Sequence, residues 1–218
     1  MIKLTKLECL DILLRNKERW TAEYMSYIDR EEKPPRSLAT RYNRSEIKSA
    51  LEKETYGKCA YCESHVKPVA FGDIEHIKPK SKYPYLTFEW ENLTYVCQVC
   101  NVNKRDEYDE ICPPINPYIE EPSNFFLALD AYIHHRPGNE RGKRTERLLQ
   151  LNRPSLLEGR RRSIKELKRL LKWYTRETRE TERKLLLTEI ETRIAKDKEY
   201  SFCLKSVFAR EANPYPSA

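Results

Sequence analysis

Four of the seven cysteines fall in two Cys-x-x-Cys pairs, Cys59/Cys62 and Cys97/Cys100, with thirty-four residues between them. Two such pairs supply four thiolates, enough to close a tetrahedron around Zn²⁺, a d¹⁰ ion whose structural sites favour Cys₄. A thioredoxin-like redox pair accounts for one Cys-x-x-Cys but not for two that bracket a histidine-containing segment. Within this frame lie Glu75-His76, then Asn92, then Asn101 with Lys104 three residues on. Hydrolysis of a phosphodiester needs a base for the attacking water and a divalent cation to neutralise developing charge. A histidine beside a carboxylate on one strand, with an amide oxygen delivered from a following helix, meets those needs. Neutral imidazole is a competent base near pH 7, and oxygen donors from Glu75 and Asn101 suit hard Mg²⁺ or Mn²⁺.

Other candidates carry less. Asp73 shares the Glu75 face of a strand and reads chiefly as a turn residue after Gly72. His65 has no partner by spacing, and His134-His135 point opposite ways in a strand, as surface residues do. Cys9, Cys112 and Cys203 stand alone and read as small buried hydrophobes. A Cys₄ ribbon with no active site is the plain alternative for the whole frame, but the ordered set of Glu75, His76, Asn92, Asn101 and Lys104 favours catalysis.

These residues need elements to position them. GDIEHI alternates polar and apolar residues, as a half-buried strand does, and the Pro, Lys and Tyr residues of 79–85 suit an irregular excursion before a second strand. CQVCNVNK lacks Pro and Gly and begins a short helix. The order is knuckle, strand, loop, strand, knuckle, helix. Upstream, apolar positions from Leu4 to Trp20 predict a helix up to about Ile28, and a Pro-containing connector follows. Asn43 with Glu46 has capping-box form, starting a helix that stops at Gly57. Downstream, CPPINPYIEEPSN is an extended link, and FFLALDAYIHH is a hairpin or a helix, its alternation favouring strand. From Arg141 the pattern is helical, with Leu156, Ile164, Leu167 and Leu171, then Leu186, Ile190 and Ile194, expected to pack on the N-terminal helices. NPYPSA reads as a tail.

The framed residues resemble the HNH (ββα-metal) nuclease motif, in the variety clipped by a Cys₄ zinc, over about residues 58–105. The resemblance implies His76 as general base and Glu75 as metal ligand in a place usually held by Asp or His. It implies Asn92 (in WENL) as the residue tying loop to strand, and Asn101 as the closing ligand. Lys104 falls at the basic position of the C-x-x-C-N-x-x-K ending. Glu is longer than Asp and Asn a weaker ligand than His, so the metal preference stays open. KCAYCE, DIEHIKPKS, INPYIEEP and LLQLNRPSLLEGRR are similar to the HNH subunit of Septu-type anti-phage systems, and of retrons using the same effector pair, over most of residues 45–170. That resemblance implies a nuclease working beside an ABC- or SMC-like ATPase. It implies nucleic acid as substrate, DNA first and RNA such as tRNA as the alternative; a non-catalytic zinc module that binds nucleic acid or a partner is the reading from another class.

Composition agrees with this class. Charged residues make up 34% of the 218-residue chain, and the net charge is +7. Residues 141–176 hold thirteen Lys and Arg against three Glu, whereas residues 105–140 hold two Arg against eight acids. The basic stretch suits a polyanion or an acidic partner surface; Arg160, Arg161 and Arg162 are its candidate nucleic-acid contacts, with Lys78, Lys80 and Lys104 nearer the cut. No aromatic base-stacking surface is evident, so shape and backbone recognition is expected. Five glycines and no Gly-rich strand–helix junction exclude a P-loop or dinucleotide fold within the chain. No run of 18 apolar residues marks a membrane span, and the chain reads as cytoplasmic. The expected fold is α+β, mainly helical: an N-terminal helical segment (1–57), a zinc-clipped ββα-metal core (58–110), a Pro-rich link with a possible hairpin (111–140) and a basic C-terminal helical region (141–218).

Overall fold

The computed structural model describes residues 1–66 and 72–212, so the reading of NPYPSA as a tail lies outside the described residues. The chain runs α1 (Asp11–Ile28), α2 (Arg36–Ala39), α3 (Ser45–Glu54), β1 (Asp73–His76), β2 (Leu93–Val96), α4 (Gln98–Lys104), β3 (Phe126–Leu129), β4 (Tyr132–His135), α5 (Glu140–Leu148), α6 (Pro154–Arg176), α7 (Glu180–Arg193) and α8 (Ser201–Ala212). The fold is α+β and mainly helical, as its sequence implies.

The first helix starts later than its apolar spacing predicts. Residues 1–10 are not helical because their amides are taken by distant acceptors: Leu4 donates to the Pro117 carbonyl at 2.9 Å and Leu7 to Glu54 Oε1 at 2.9 Å. Helix α1 then buries Leu13, Trp20 and Tyr24 on one face. The capping box at Asn43 is not formed. Arg44 occupies the N-cap of α3 without a side-chain bond, and the Asn43 amide instead donates to the Thr40 carbonyl, closing the preceding turn. Helix α3 ends where Tyr56 and Gly57 both take positive φ.

Strands β1 and β2 pair antiparallel, with Glu75 opposite Thr94 and His76 opposite Leu93. Cys97 then caps α4, its sulfur accepting from the Cys100 amide. The segment FFLALDAYIHH resolves as a hairpin, β3 against β4, turning at Asp130 with φ 50°. The α6 stripe of Ile164, Leu167 and Leu171 does not pack on the N-terminal helices as expected. It finds Ile190 of α7 and Leu204 and Val207 of α8, which build a second core, while the larger core surrounds the zinc frame. Only the first turn of α6 (Leu156) and the start of α8 (Cys203) reach the larger core. Cys203 is buried as expected, whereas Cys9 and Cys112 are half-buried.

Candidate active site

The sulfur atoms of Cys59, Cys62, Cys97 and Cys100 lie within 4.8 Å of one another, and among the described residues this is the one convergence of three or more His, Cys, Asp or Glu ligand atoms. Cys62 Sγ and Cys97 Sγ are 3.8 Å apart, which is the edge of a tetrahedron with Zn–S bonds of about 2.3 Å. The cage can hold a zinc ion. Its sulfurs meet because the first knuckle turns tightly, the Cys59 amide donating to the Ser64 carbonyl at 2.9 Å and the Ala60 amide to the Tyr95 carbonyl of β2 at 3.0 Å.

A residue the sequence reading missed completes the cage. The guanidinium of Arg153, at the N-cap of α6, directs its N–H groups at Cys62 Sγ (3.6 Å), Cys100 Sγ (3.7 Å) and Cys97 Sγ (3.8 Å). Contact with the neighbouring sulfurs pushes the Cys62 thiol well below its usual range, and the Arg153 charge adds to that. Four thiolates around Zn²⁺ leave two negative charges in a buried place, and a fixed guanidinium offsets part of them. No spacing rule connects position 153 with the cysteines.

Helix α4 packs across β1. Residues 73 and 75 share one face of the strand, and residues 101 and 104 share one face of the helix. Asn101 accordingly donates Nδ2 to Asp73 Oδ2 at 2.9 Å, and Lys104 donates Nζ to Glu75 Oε1 at 2.6 Å and to the His76 carbonyl at 3.0 Å. Lys104 is 1% exposed. Its expected place beside a substrate phosphate is therefore corrected: the ammonium is a buried counter-ion for Glu75. Burial pushes the Glu75 carboxyl up, and Lys104 opposes that shift. The oxygens of Asp73, Glu75 and Asn101 are a donor set suited to a hard divalent cation, with Lys104 already on one of them.

His76 is 6% exposed. One ring nitrogen, Nε2, lies 3.0 Å from the Thr87 carbonyl. A carbonyl only accepts, so Nε2 carries the hydrogen and Nδ1 keeps the lone pair. Tyr42 packs on the imidazole in a T-shaped arrangement, ring centroids 4.6 Å apart and planes at 84°. Burial pushes the His76 pKa down to about 4, with the Thr87 bond working against it. Tyr42, from the stretch after α2, is a second residue the sequence reading missed; nothing in its neighbourhood there marks it.

The loop between the strands is tied at its base by Asn92, whose Oδ1 accepts from the Lys78 amide (2.8 Å) and whose Nδ2 donates to the Lys78 and Leu86 carbonyls (3.0 and 3.1 Å). Lys78 reaches Glu110 at 3.3 Å, and Lys80 reaches the Tyr42 hydroxyl at 3.1 Å. The arginines of α6 lie apart from this constellation. Arg160 is 0% exposed, its Nη1 bonded to the Ala131 and Leu151 carbonyls (3.1 and 2.7 Å), so the expectation that it contacts nucleic acid is corrected. A helix with Leu156, Ile164 and Leu167 inward turns residue 160 inward as well, while Arg161 and Arg162 face outward. His135 pairs with Glu146 at 2.8 Å and His134 stacks on Tyr132, both half-buried.

Residues 59–107 match the HNH endonuclease family. The chain is similar to the Septu protein PtuB of Bacillus thuringiensis, 34% identical across 49% of this chain and 41% of that one. It is also similar to the Septu protein PtuB of Bacillus mycoides (strain KBAB4), 27% identical across 58% of this chain and 53% of that one. The chain thus spans about half the length of the curated relatives it matches. The family match begins on the first zinc-frame cysteine and ends just past α4. The segment that holds the zinc frame and His76 thus matches the HNH endonuclease family, in a chain that resembles the Septu protein PtuB.

Proposed function

We propose that this chain is a metal-dependent endonuclease that hydrolyses phosphodiester bonds, DNA foremost, as the effector of an anti-phage defence complex with an ABC- or SMC-like ATPase. The observation that carries the nuclease is His76: a buried, neutral imidazole with Nε2–H committed to Thr87, inside the matched segment. The resemblance to PtuB of Septu supports the defence setting, and the partner rests on that resemblance alone.

In this reading Nδ1 of His76 takes a proton from the water that attacks phosphorus. The P–O bond opposite breaks, and the departing oxygen is protonated from solvent. Glu75 and Asn101, with Asp73 beside Asn101, would hold Mg²⁺ or Mn²⁺; such an ion supplies neutralisation of charge on the phosphate and the leaving oxygen. Thr87 and Tyr42 keep the imidazole in one tautomer and orientation. Asn92 keeps the loop that carries Thr87 in register with β1. In this reading Lys78 and Lys80 meet phosphates near the cut, Arg161 and Arg162 meet phosphates farther along the substrate, and the Cys₄ zinc is structural.

The test is cleavage of plasmid DNA and of total tRNA by the chain, alone and with the ATPase, in Mg²⁺ or Mn²⁺ and with EDTA as control. His76→Ala is expected to lower the rate by at least about a hundredfold with the fold and zinc content unchanged. One observation favours a second reading: Glu75 is already neutralised by Lys104, as a purely structural carboxylate would be. In a zinc-framed binding module His76→Ala changes nothing, and no substrate is cut in any combination.

A further inference from the structure

Two stretches of the chain that the sequence does not relate, the loop after β1 and the segment after α4, meet in a cluster of tyrosines. Tyr83 lies 5.4 Å from Tyr108 and 6.3 Å from Tyr85, centroid to centroid, in edge-on geometry. The ammonium of Lys78 stands over Tyr83 at 4.9 Å and over Tyr108 at 5.3 Å. Tyr83 is held by its hydroxyl, which donates to Glu110 at 2.6 Å, so the bond leaves its ring faces free of that contact. Tyr85 is 51% exposed. An aromatic surface is thus present where the sequence shows none, because residues 83, 85 and 108 come together only in the fold.

Its place is fixed relative to the chemistry. Lys78 follows His76 by two residues, and Tyr85 precedes by two the Thr87 carbonyl that holds the imidazole. Asn92 bonds the Lys78 backbone and the Leu86 carbonyl, so catalytic strand and aromatic loop form one rigid unit. We infer that Tyr85, Tyr83 and Tyr108, with Lys78, form a platform on which unpaired bases next to the cut are stacked. The substrate is then single-stranded or locally opened nucleic acid.

The physical ground is access. In a continuous duplex both faces of every base are covered by neighbouring bases, whereas an unpaired base offers a face to an aromatic ring whatever its sequence. The Lys78 ammonium over the same rings, shared with Glu110 at 3.3 Å, adds positive charge beside the stack. The inference rests on the nuclease reading of His76 for its location but reads out through binding.

The experiment uses the full chain carrying His76→Ala, so that nothing is cut, and measures fluorescence anisotropy on a short single-stranded DNA, the RNA of the same sequence and the blunt DNA duplex. Tyr85→Ala is expected to weaken single-strand binding about tenfold, with duplex binding unchanged and Tyr85→Trp restoring affinity. Quenching of 2-aminopurine in the strand should fall with Tyr85→Ala and return with Tyr85→Trp. The DNA and RNA arms show which strand is held better. Equal losses on strand and duplex, no loss on either, or no binding to nucleic acid at all would overturn the platform. If the parent chain cuts nothing, alone or with the ATPase, while base-dependent binding persists, the nuclease reading fails and the platform stands. If the parent cuts and Tyr85→Ala does not discriminate strand from duplex, the reverse holds.

Discussion

A neutral His76 is set by burial, and its consequence is measurable as a pH dependence. In the unfolded chain an imidazole takes its proton near pH 6.5, whereas here it does so only at about 4. The unfolded state therefore binds more protons between those values, and the stability contributed by keeping the ring neutral is complete above pH 6.5 and lost as pH falls toward 4. Compared with His76→Asn, which does not titrate, the parent should lose about 1.4 kcal/mol for each pH unit below 6.5 in denaturant titrations. An unchanging difference would show a ring with ordinary proton affinity. Arg153 acts on the zinc cage. Arg153→Met removes three N–H···S contacts and leaves the thiolate charge uncompensated. Zinc affinity should fall about tenfold or more, read as faster release to a chromogenic chelator; Arg153→Lys, a point charge that cannot span three sulfurs, should fall between.

At the level of elements, the strand carrying the site depends on the glycine before it. Gly72 has φ 61°, and a Cβ there would come 2.4 Å from ring carbons of Tyr95 on the paired strand. Tyr95 is buried and cannot retreat into solvent. Gly72→Ala should cost roughly 1–3 kcal/mol, seen as a lower denaturation midpoint, and should also reduce cleavage, since β1 and His76 shift together. The order of elements around the site was legible from local signals: the two knuckles, the alternation of DIEH and the Pro-rich excursion of residues 79–85. Each reflects a short-range rule. Helix α1 was misplaced at its start because Leu4 and Leu7 repeat at helical spacing while their amides bond to residues 113 and 47 positions away. The segment 125–135 allowed a hairpin or a helix, and the structure takes the strand reading that its alternation favoured.

For the whole molecule, the asymmetry of charge survives folding but is redistributed. Among its residues Arg160 turns inward, and Arg161, Lys165, Lys168 and Lys172 form a stripe along the outer face of α6, with Lys168 partly shared with Asp130 and Glu211. If the stripe holds nucleic acid, Arg161→Gln with Lys165→Gln should reduce the slope of log affinity against log salt by about 2 on duplex DNA. An unchanged slope would assign the stripe to a protein surface. What the sequence could not show at this scale is what the chain closes over: Arg153 reaching the sulfurs from α6, Lys104 folded back on Glu75, the tyrosines joined from two segments. Such contacts depend on where distant elements dock, and no local pattern encodes them.

Tyr42 lies seventeen residues before the start of the segment that matches the nuclease family, yet its ring walls the imidazole of His76. The surroundings that bury the histidine thus extend beyond the recognisable motif, although Thr87, Lys80 and Lys104 within it also act on its proton affinity. Two proteins with the same motif and different sequence ahead of it can carry bases of different strength, and the borders at which a catalytic module is recognised do not mark the borders within which its reactivity is tuned.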